Sequence, residues 1–372
     1  MSAKTIMEHF SDLPDPRTHL LKNRHHFMDI IVIAICAVIC GADDWVAVSD
    51  FGRAKIGWLG SFLKLPNGIP SHDTFDRVFS MIDPDEFQKC FVLWIQSVAH
   101  LSEGQIVSID GKTLRRSYDS QSNKAAIHMV SAWANGCRLV LGQVKTEEKS
   151  NEITAIPELL RLLDIHGCIV TTDAMGCQKK IAKQIKEQGG DYVLGLKGNQ
   201  GSLLTAVEQT FGKAKDLEGS GFNVYQTEED GHGRHEVRTY FTSSVLDRLA
   251  KPEEWEGLKT IGAVLSEVTS RGKTTRECRY YIASIENDAE LFAYAVRSHW
   301  GIENSCHWVL DVAFREDDSR LRKDHGPENL ALLRHIALNL IREEKTARVG
   351  VKNKRLRAGW DNHYLAKVLF GK

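Results

Sequence analysis

The feature that most constrains the fold is an alternation of strand and helix patterns that begins at Gln105. Residues 106–110 form a short β-branched run, and the apolar runs 125–134 and 137–145 flank an Asn-Gly pair, which is typical of a hairpin. Apolar spacing then predicts a helix over 153–163, a strand over 167–172, a helix over 179–188 and a strand over 192–197. This βββαβαβ order predicts three antiparallel strands followed by parallel strands joined through helices.

The segments around this alternation have other patterns. Residues 1–95 have apolar positions at three- and four-residue spacing, which predicts a helical domain. A helix-turn-helix DNA reader is an alternative to plain packing for this segment. Residues 199–286 contain one helical pattern and four strand-like runs, which predicts a β-rich insertion, and helical patterns resume over 289–310 and 327–341.

Composition is that of a globular protein with no overall attraction to nucleic acid. The chain is 42% apolar and 26% charged with a net charge of -1, so DNA binding must come from local clusters of Lys and Arg. One cluster lies in the C-terminal segment 341–372 and includes Lys352, Lys354, Arg355 and Arg357. It is either a DNA contact or a solvated basic helix. Eight cysteines without CxxC spacing indicate no zinc ribbon and favour a reducing cytoplasm. The most apolar stretch, 30–40, is shorter than the roughly 20 residues that span a bilayer, so no membrane segment is expected.

Two acids follow predicted strands of the sheet. Asp110 ends the run Val-Ser-Ile-Asp, and Asp173 ends Ile-Val-Thr-Thr-Asp. Ligands gather outside the carboxyl ends of parallel strands, so both carboxylates are expected at one edge. An Asp after a strand also commonly caps the next helix, so either acid alone is a weak indication.

A third acid, Glu303, lies in the helical segment after the insertion. His299 and His307 stand four residues before and after it, so one helical face would hold all three. The HExxH spacing of zinc sites is absent, which favours orientation or DNA contact over metal ligation by these histidines. Glu316 is the rival third acid, although its acidic run is typical of a solvated helix end or loop. Three carboxylates with few soft ligands suit Mg²⁺.

The motifs IDGKTLR, TTDAMGCQ, KGNQG and RSHWGIENSCHWVLDVAFREDDSR together resemble the DDE transposases of bacterial insertion sequences, in the H-repeat-associated branch. The resemblance covers essentially the whole chain. It implies an α/β fold with a ribonuclease-H-like mixed sheet core (100–198 and 287–345), a helical N-terminal domain (1–95), a β-rich insertion (199–286) before the last catalytic helix, and a basic C-terminal tail (346–372). Asp110, Asp173 and Glu303 would then be the catalytic, metal-binding triad for two Mg²⁺ ions, with Mn²⁺ as a substitute.

One family signature is only partly present. Related transposases often carry Tyr, Arg, Glu and Lys around the glutamate, and in this chain Val296, His299 and Leu310 stand at the other three positions. Basic and polar residues near the triad and in a glycine-rich hairpin of the insertion are expected to contact DNA phosphates, with ordinary surface charge as the alternative. These residues are Lys112, Arg115, Arg116, Lys197, Asn199, Arg234, Arg238, Arg297 and His299. Trp255 could stack on an extruded base, but a packing role is more typical of a single loop tryptophan.

The resemblance implies two reactions at one metal site. Water nicks the element's ends between two Mg²⁺ ions, and the freed 3′-hydroxyl then attacks target DNA. The implied partners are double-stranded DNA, both terminal inverted repeats and target, and a second copy of the chain. The implied location is the bacterial cytoplasm, at the nucleoid when bound to DNA. Two alternatives stay open: a catalytically defective relic that only binds DNA, and a carboxylate hydrolase of small molecules or sugars.

Overall fold

The chain begins with six helices that pack around an apolar core. The computed structural model describes residues 6–17, 24–99, 101–118, 125–146, 151–212, 222–231, 233–249 and 251–371. The first helices are α1 (Ile6–Phe10), α2 (Phe27–Ile39), α3 (Trp45–Ala54), α4 (Ile56–Leu59), α5 (His72–Met81) and α6 (Pro84–Val98). All of α2 except Met28 is buried. Over the described ranges, no helix combines the length and apolar character needed to cross a bilayer.

A mixed sheet follows the helices. Its first five strands are β1 (Ile106–Thr113), β2 (His128–Ala134), β3 (Leu139–Lys145), β4 (Ile169–Thr172) and β5 (Asp191–Leu196). The first three strands are antiparallel neighbours, whereas β4 runs parallel to β1 and β5 runs parallel to β4. The connecting helices are α7 (Glu152–Leu162) and α8 (Lys179–Glu187). The order expected from the sequence is therefore confirmed.

The insertion extends this sheet. It contains α9 (Gly201–Gly212), β6 (Phe222–Gly231), β7 (Arg234–Ser243), β8 (Thr260–Ser270) and β9 (Lys273–Ala283). Its last strand, β9, pairs with β5 in antiparallel fashion, with Leu194 opposite Ile282. The result is a nine-stranded sheet in the order β3-β2-β1-β4-β5-β9-β8-β7-β6. The α/β, ribonuclease-H-like mixed sheet with a β-rich insertion is confirmed.

The helices after the insertion close one face of the sheet and complete the core. They are α10 (Ala289–Ile302), a π-helical turn (Glu303–His307), α11 (Trp308–Phe314), a 3-10 turn (Glu316–Asp318) and α12 (Gly326–Glu343). The Asn339 amide attaches α12 to the sheet, because it accepts from the Val140 N–H at 2.9 Å and donates to the Val140 carbonyl at 2.8 Å. Asn329 similarly donates to the carbonyls of Phe79 and Ile82, which joins α12 to the N-terminal helices.

The basic C-terminal segment is a pair of packed helices, α13 (Val351–Trp360) and α14 (Asn362–Phe370), and not a free tail. Lys354 and Arg355 are buried in it. The Lys354 ammonium donates to the Ile341 carbonyl at 3.0 Å, and the Arg355 guanidinium donates to the Val38 carbonyl at 2.8 Å. These two basic residues, in the segment considered for a solvated helix or a DNA contact, therefore serve the packing of the helices.

Candidate active site at the β1–β4 edge

Asp110 lies on β1, and Asp173 directly follows the adjacent parallel strand β4. Ile109 of β1 stands opposite Thr172 of β4, and the two aspartates are the next residues along each strand. The expectation that both acids end strands is correct for Asp173 and wrong for Asp110. The strand β1 continues to Thr113 because β2 supplies backbone partners for residues 110–113, whereas β4 ends at Thr172.

Asp173 also stabilises the turn that follows it. Its Oδ1 accepts hydrogen bonds from the N–H groups of Met175 at 2.8 Å and Gly176 at 3.4 Å. Asp173 does not cap α8, whose N-cap position is Gln178, but the two bonds from the turn fix its carboxylate at the sheet edge. The Asn199 amide donates to the Ala174 carbonyl at 2.7 Å and holds the same loop from the other side.

Glu303 is brought to the two aspartates by the helix that crosses β1. The Ser108 hydroxyl donates to the Ser298 carbonyl at 3.2 Å, which attaches α10 to β1. The π-helical turn after α10 then places the Nδ1 of His307 3.1 Å from Glu303 Oε2 and 3.6 Å from Asp110 Oδ2. Asp110, Asp173 and Glu303 all line one open cleft of about 620 Å³.

The donor set of this cleft suits a divalent cation. Asp110, Glu303 and His307 each offer one ligand atom, and these atoms lie within 4.8 Å of one another. Carboxylate oxygens are the preferred ligands of Mg²⁺ and Mn²⁺, and an imidazole nitrogen is acceptable to Mn²⁺. The buried Nε2 of His307 has no hydrogen-bond partner among the described residues, so the ring is fixed only through the nitrogen that faces the acids.

The electrostatics of the cleft also favour a cation. Burial raises the pKa of Asp110 to about 6; the charge of His307 opposes this shift, and the carboxylates of Glu152 and Asp173 add to it. Burial and the charge of Glu152 also raise the pKa of Asp173. The hydrogen bond from His307 lowers the pKa of Glu303. Crowded, partly buried carboxylates disfavour their own ionisation, and a bound cation would remove that penalty.

Sequence reasoning missed Glu152, which opens α7. Its carboxylate lies beside Gly111, and its charge acts on both aspartates of the cleft. No recognised motif includes this residue. Only its position in the first turn of the helix after β3 could have indicated from the sequence that it lies near the site.

Three predicted DNA contacts, Lys112, Arg115 and Arg116, form ion pairs within the chain. The Lys112 ammonium lies 2.6 Å from Asp311, 3.1 Å from Glu316 and 3.1 Å from Asp317. Arg115 pairs with Asp317 at 3.2 Å, and Arg116 pairs with Asp318 at 3.6 Å. Contact of these cations with phosphate would require that the acidic turn 316–318 release them.

Glu316 does not line the cleft. It is 3% exposed and lies between Lys112 and Arg334, with the Arg334 nitrogen 3.9 Å away. The expectation that its acidic run is solvated is wrong for this residue.

Trp255 is also 3% exposed, which agrees with a packing role and leaves no surface for a stacked base.

Lys197 and His299 line the same cleft as the acids, but they differ in charge. Lys197 is exposed. Burial lowers the pKa of His299 to about 4, and its Nδ1 lies 3.1 Å from the Thr171 hydroxyl. His299 is therefore neutral at pH 7, so a contact between it and phosphate would be a hydrogen bond without an ion pair.

A second cleft, of about 740 Å³, runs along the insertion strands. Arg234, Arg238 and Arg297 line it as the sequence suggested for a DNA surface, together with two arginines that the sequence analysis missed, Arg276 and Arg279. Arg238 is largely buried and pairs with Glu229 at 3.1 Å, and Arg297 lies 3.4 Å from the same carboxylate. Arg234 is exposed.

Trp300 connects the two clefts. It lines both of them, three residues before Glu303, and the Arg279 guanidinium lies over its ring at 5.1 Å from the centroid. The acids and the arginine-lined surface of the insertion are therefore parts of one continuous surface.

Comparison with known proteins agrees with this geometry. The Transposase DDE domain family matches residues 101–340, and the DDE_Tnp_1-associated family matches residues 7–95. "H repeat-associated putative transposase YhhI" of Escherichia coli strain K12 is 44% identical over 376 residues, which are 100% of this chain and 99% of that protein. "Putative transposase YncI" of Escherichia coli O157:H7 is 44% identical over 99% of this chain and 95% of that protein.

Among solved structures, the cryo-EM structure of a piggyBac transposase synaptic complex with hairpin DNA has a TM-score of 0.49 and 13% identity, covering 98% of this chain and 77% of that one. The family matches and the full-length relatives decide the assignment. The chain belongs to the Transposase DDE domain family and is a relative of the H-repeat-associated transposases.

Proposed function

We propose that this protein is an active DNA transposase, which cuts the ends of an insertion element and joins the freed 3′-hydroxyls to target DNA. The observation that carries the proposal is the convergence of Asp110, Asp173 and Glu303 on one cleft from distant parts of the chain. We assign these three acids as the catalytic, metal-binding residues. The ion is Mg²⁺, with Mn²⁺ as a substitute, and two ions occupy each site.

The chain's own contacts support this metal assignment. His307 holds Glu303 toward Asp110, and Asn199 holds the loop behind Asp173, so the carboxylates are oriented before any ligand arrives. When bound, divalent ions would activate the attacking oxygen and stabilise the leaving oxygen. Lys197, at the rim of the cleft, is placed to bind a phosphate beside the reacting one.

We propose that duplex DNA, as terminal inverted repeats and as target, lies across both clefts. The exposed cations Lys197, Arg234 and Arg297 would contact its backbone, and Arg115 and Arg116 would join them if the acidic turn 316–318 opens. Two copies of the chain would act together, because two element ends must be paired. Such a reaction takes place in the bacterial cytoplasm, at the nucleoid.

A cleavage and joining assay on DNA that carries the element's own ends tests this function. We expect nicking and strand joining with Mg²⁺ or Mn²⁺, and none after chelation with EDTA. Asp110→Asn, Asp173→Asn and Glu303→Gln should each abolish both steps and leave binding to the terminal repeats. Matched controls are Asp247→Asn, an exposed aspartate of the insertion, and Glu290→Gln, an exposed glutamate on α10; both should retain activity.

The same assay separates the alternatives. Binding to the repeats with no cleavage by the unmodified chain would identify a catalytically defective relic. No salt-dependent DNA binding would favour a hydrolase of small molecules. Cleavage that persists in Asp110→Asn or Asp173→Asn would overturn the assignment of the triad.

A further inference from the structure

A fourth carboxylate, that of Glu152, lies at the same edge of the sheet as the three acids. Glu152 follows Asn151, which caps α7 by accepting a hydrogen bond from the Ile153 N–H at 3.0 Å. Its side chain is 15% exposed, and its negative charge acts on both Asp110 and Asp173. Successive residues of a strand face opposite sides, so Glu152, above Gly111, approaches from the side of β1 opposite to α10.

The carboxylate of Glu152 is held in a defined position. Its Oε1 lies 2.9 Å from His128 Nε2, and the other ring nitrogen of His128 lies 2.9 Å from the Thr113 hydroxyl. Thr113 and His128 are register partners on β1 and β2. The sheet therefore orients Glu152 through His128, as the π-helical turn orients Glu303 through His307.

Gly111 makes room for this pair. A Cβ atom at position 111 would lie 2.2 Å from Glu152 Oε1 and 2.3 Å from His128 Nε2, so a side chain there would force both groups to move. Gly111 is not among the residues with positive φ, so its backbone conformation does not require glycine. Glycine directly after Asp110 leaves the space that the ends of Glu152 and His128 occupy.

A purely structural role would not explain where this acid is placed. A buried His–Glu pair can stabilise a fold anywhere, but beside Asp110 and Asp173 a third negative charge is repelled by both aspartates. Cations remove that repulsion. If two divalent ions bind as proposed above, they bring four positive charges, and Asp110, Asp173 and Glu303 supply three negative charges. A fourth carboxylate would offset the remaining positive charge while no DNA phosphate is bound.

We propose that Glu152 is a further residue of the metal site, which helps to hold divalent ions at Asp110 and Asp173 and is positioned by His128 and by the missing side chain of Gly111. This inference rests on the proposed function. It assigns Glu152 to metal binding and His128 to positioning.

Mn²⁺ binding to the full-length protein, measured by calorimetry and by the electron paramagnetic resonance of free Mn²⁺, tests the proposal without DNA or activity. Glu152→Gln keeps the size of the side chain and removes its charge, so Mn²⁺ affinity should fall about 10-fold or more. Glu152→Asp keeps the charge at a shorter reach and should show a smaller loss. The control Glu158→Gln changes an exposed acid of the same helix and should bind Mn²⁺ like the unmodified protein.

Thermal unfolding in EDTA supplies a readout that separates metal binding from structure. Glu152→Gln should unfold at the same or a higher temperature than the unmodified protein when metal is absent, because one repelling charge is gone. It should also lose most of the stabilisation that Mn²⁺ gives. A lower metal-free melting temperature with unchanged Mn²⁺ affinity would assign Glu152 a structural role and overturn the proposal.

Asp110→Asn and Asp173→Asn, measured in the same way, separate a failure of the inference about Glu152 from a failure of the proposed function. If they lose Mn²⁺ binding and Glu152→Gln does not, the inference about Glu152 is wrong and the proposed function stands. If they bind Mn²⁺ like the unmodified protein, the proposed function fails as well.

Discussion

At the scale of single residues, Asp110 lies in an electrostatically unfavourable position. Burial raises its pKa from 3.8 to about 6, His307 opposes the shift, and the charges of Glu152 and Asp173 add to it. The metal-free protein therefore holds an unfavourable carboxylate at neutral pH. Metal binding, as proposed above, would explain this position, because a bound cation removes the repulsion among like charges.

We expect Asp110→Asn to stabilise the metal-free protein in a pH-dependent way. Because folding raises the pKa of Asp110, the folded state favours the neutral form. The contribution of the neutral Asp110 carboxyl to the free energy of unfolding is complete below about pH 4 and is lost as the pH rises through about 6. The amide side chain of the Asp110→Asn variant does not ionise, so the variant does not lose this contribution. Its free energy of unfolding at pH 7.5 should be higher by on the order of 2 kcal/mol, measured by urea denaturation in EDTA.

The gain from Asp110→Asn should shrink toward zero near pH 4 and should disappear when Mg²⁺ is added, since only the unmodified protein gains from the ion. Asp247→Asn serves as the control with no expected change. A gain of equal size at every pH would show that ionisation of the Asp110 carboxyl is not its cause.

Residue motifs predicted three acids of the site but not their surroundings. Asp110, Asp173 and Glu303 stand in local patterns that the sequence displays directly. Glu152 does not, because its proximity to Gly111 arises only when α7 packs beside β1. The partners of Lys112 were missed for the same reason: Asp311 and Glu316 are close to it only in the folded chain.

At the scale of elements, the sequence predicted the strands and helices of the sheet and misplaced their ends. The strand β1 continues past Asp110 although Gly111 and Lys112 interrupt its β-branched run, because β2 provides the pairing. The helical face expected to hold His299, Glu303 and His307 is modified by a π-helical turn at Glu303–His307. Both differences depend on tertiary contacts that local propensity does not encode.

Lys112 joins two of these elements. Its ammonium lies between β1 and the segment that follows α11, in contact with Asp311, Glu316 and Asp317, and Glu316 is buried. This ion cluster fixes the end of the helical segment that carries Glu303. Lys112 is therefore better explained as a positioning residue than as the phosphate contact that the sequence suggested.

Lys112→Met should destabilise the protein by about 3 kcal/mol, because it leaves the buried Glu316 carboxylate with Arg334, 3.9 Å away, as its remaining cation. Lys183→Met is the matched control: Lys183 pairs with Glu187 on the surface of α8, and its loss should cost no more than about 0.5 kcal/mol. Chemical denaturation at pH 7.5 measures both. Unchanged stability of Lys112→Met together with weaker DNA binding would restore the role of Lys112 as a phosphate contact.

At the scale of the whole molecule, one sheet connects the acids to the arginine-lined surface of the insertion. The insertion strands continue the sheet through the β5–β9 pair, and Trp300 borders both clefts. With a net charge of -1 there is no overall attraction to DNA, so the proposed DNA binding would depend on such a local surface. The sequence predicted Arg234 and Arg297 there, but Arg276 and Arg279 were missed because only the sheet brings β9 beside them.

Arg234→Ala should weaken DNA binding evenly across sequences and reduce the slope of log affinity against log salt concentration by about 1, as expected for one lost phosphate contact. The control Arg161→Ala removes an exposed arginine of α7 that borders neither of the two clefts. Fluorescence anisotropy over a series of salt concentrations measures both variants. Equal slopes for the two variants would show that the insertion surface does not contact the DNA backbone.

A crystal structure of the protein soaked in Mn²⁺ tests whether three distant carboxylates share divalent ions. Anomalous scattering locates the ions without reference to activity. We expect Mn²⁺ peaks in the cleft, with Asp110, Asp173 and Glu303 as ligands at about 2.2 Å. Peaks that leave Asp173 or Glu303 without a bound ion, or no peak in this cleft at saturating Mn²⁺, would contradict it.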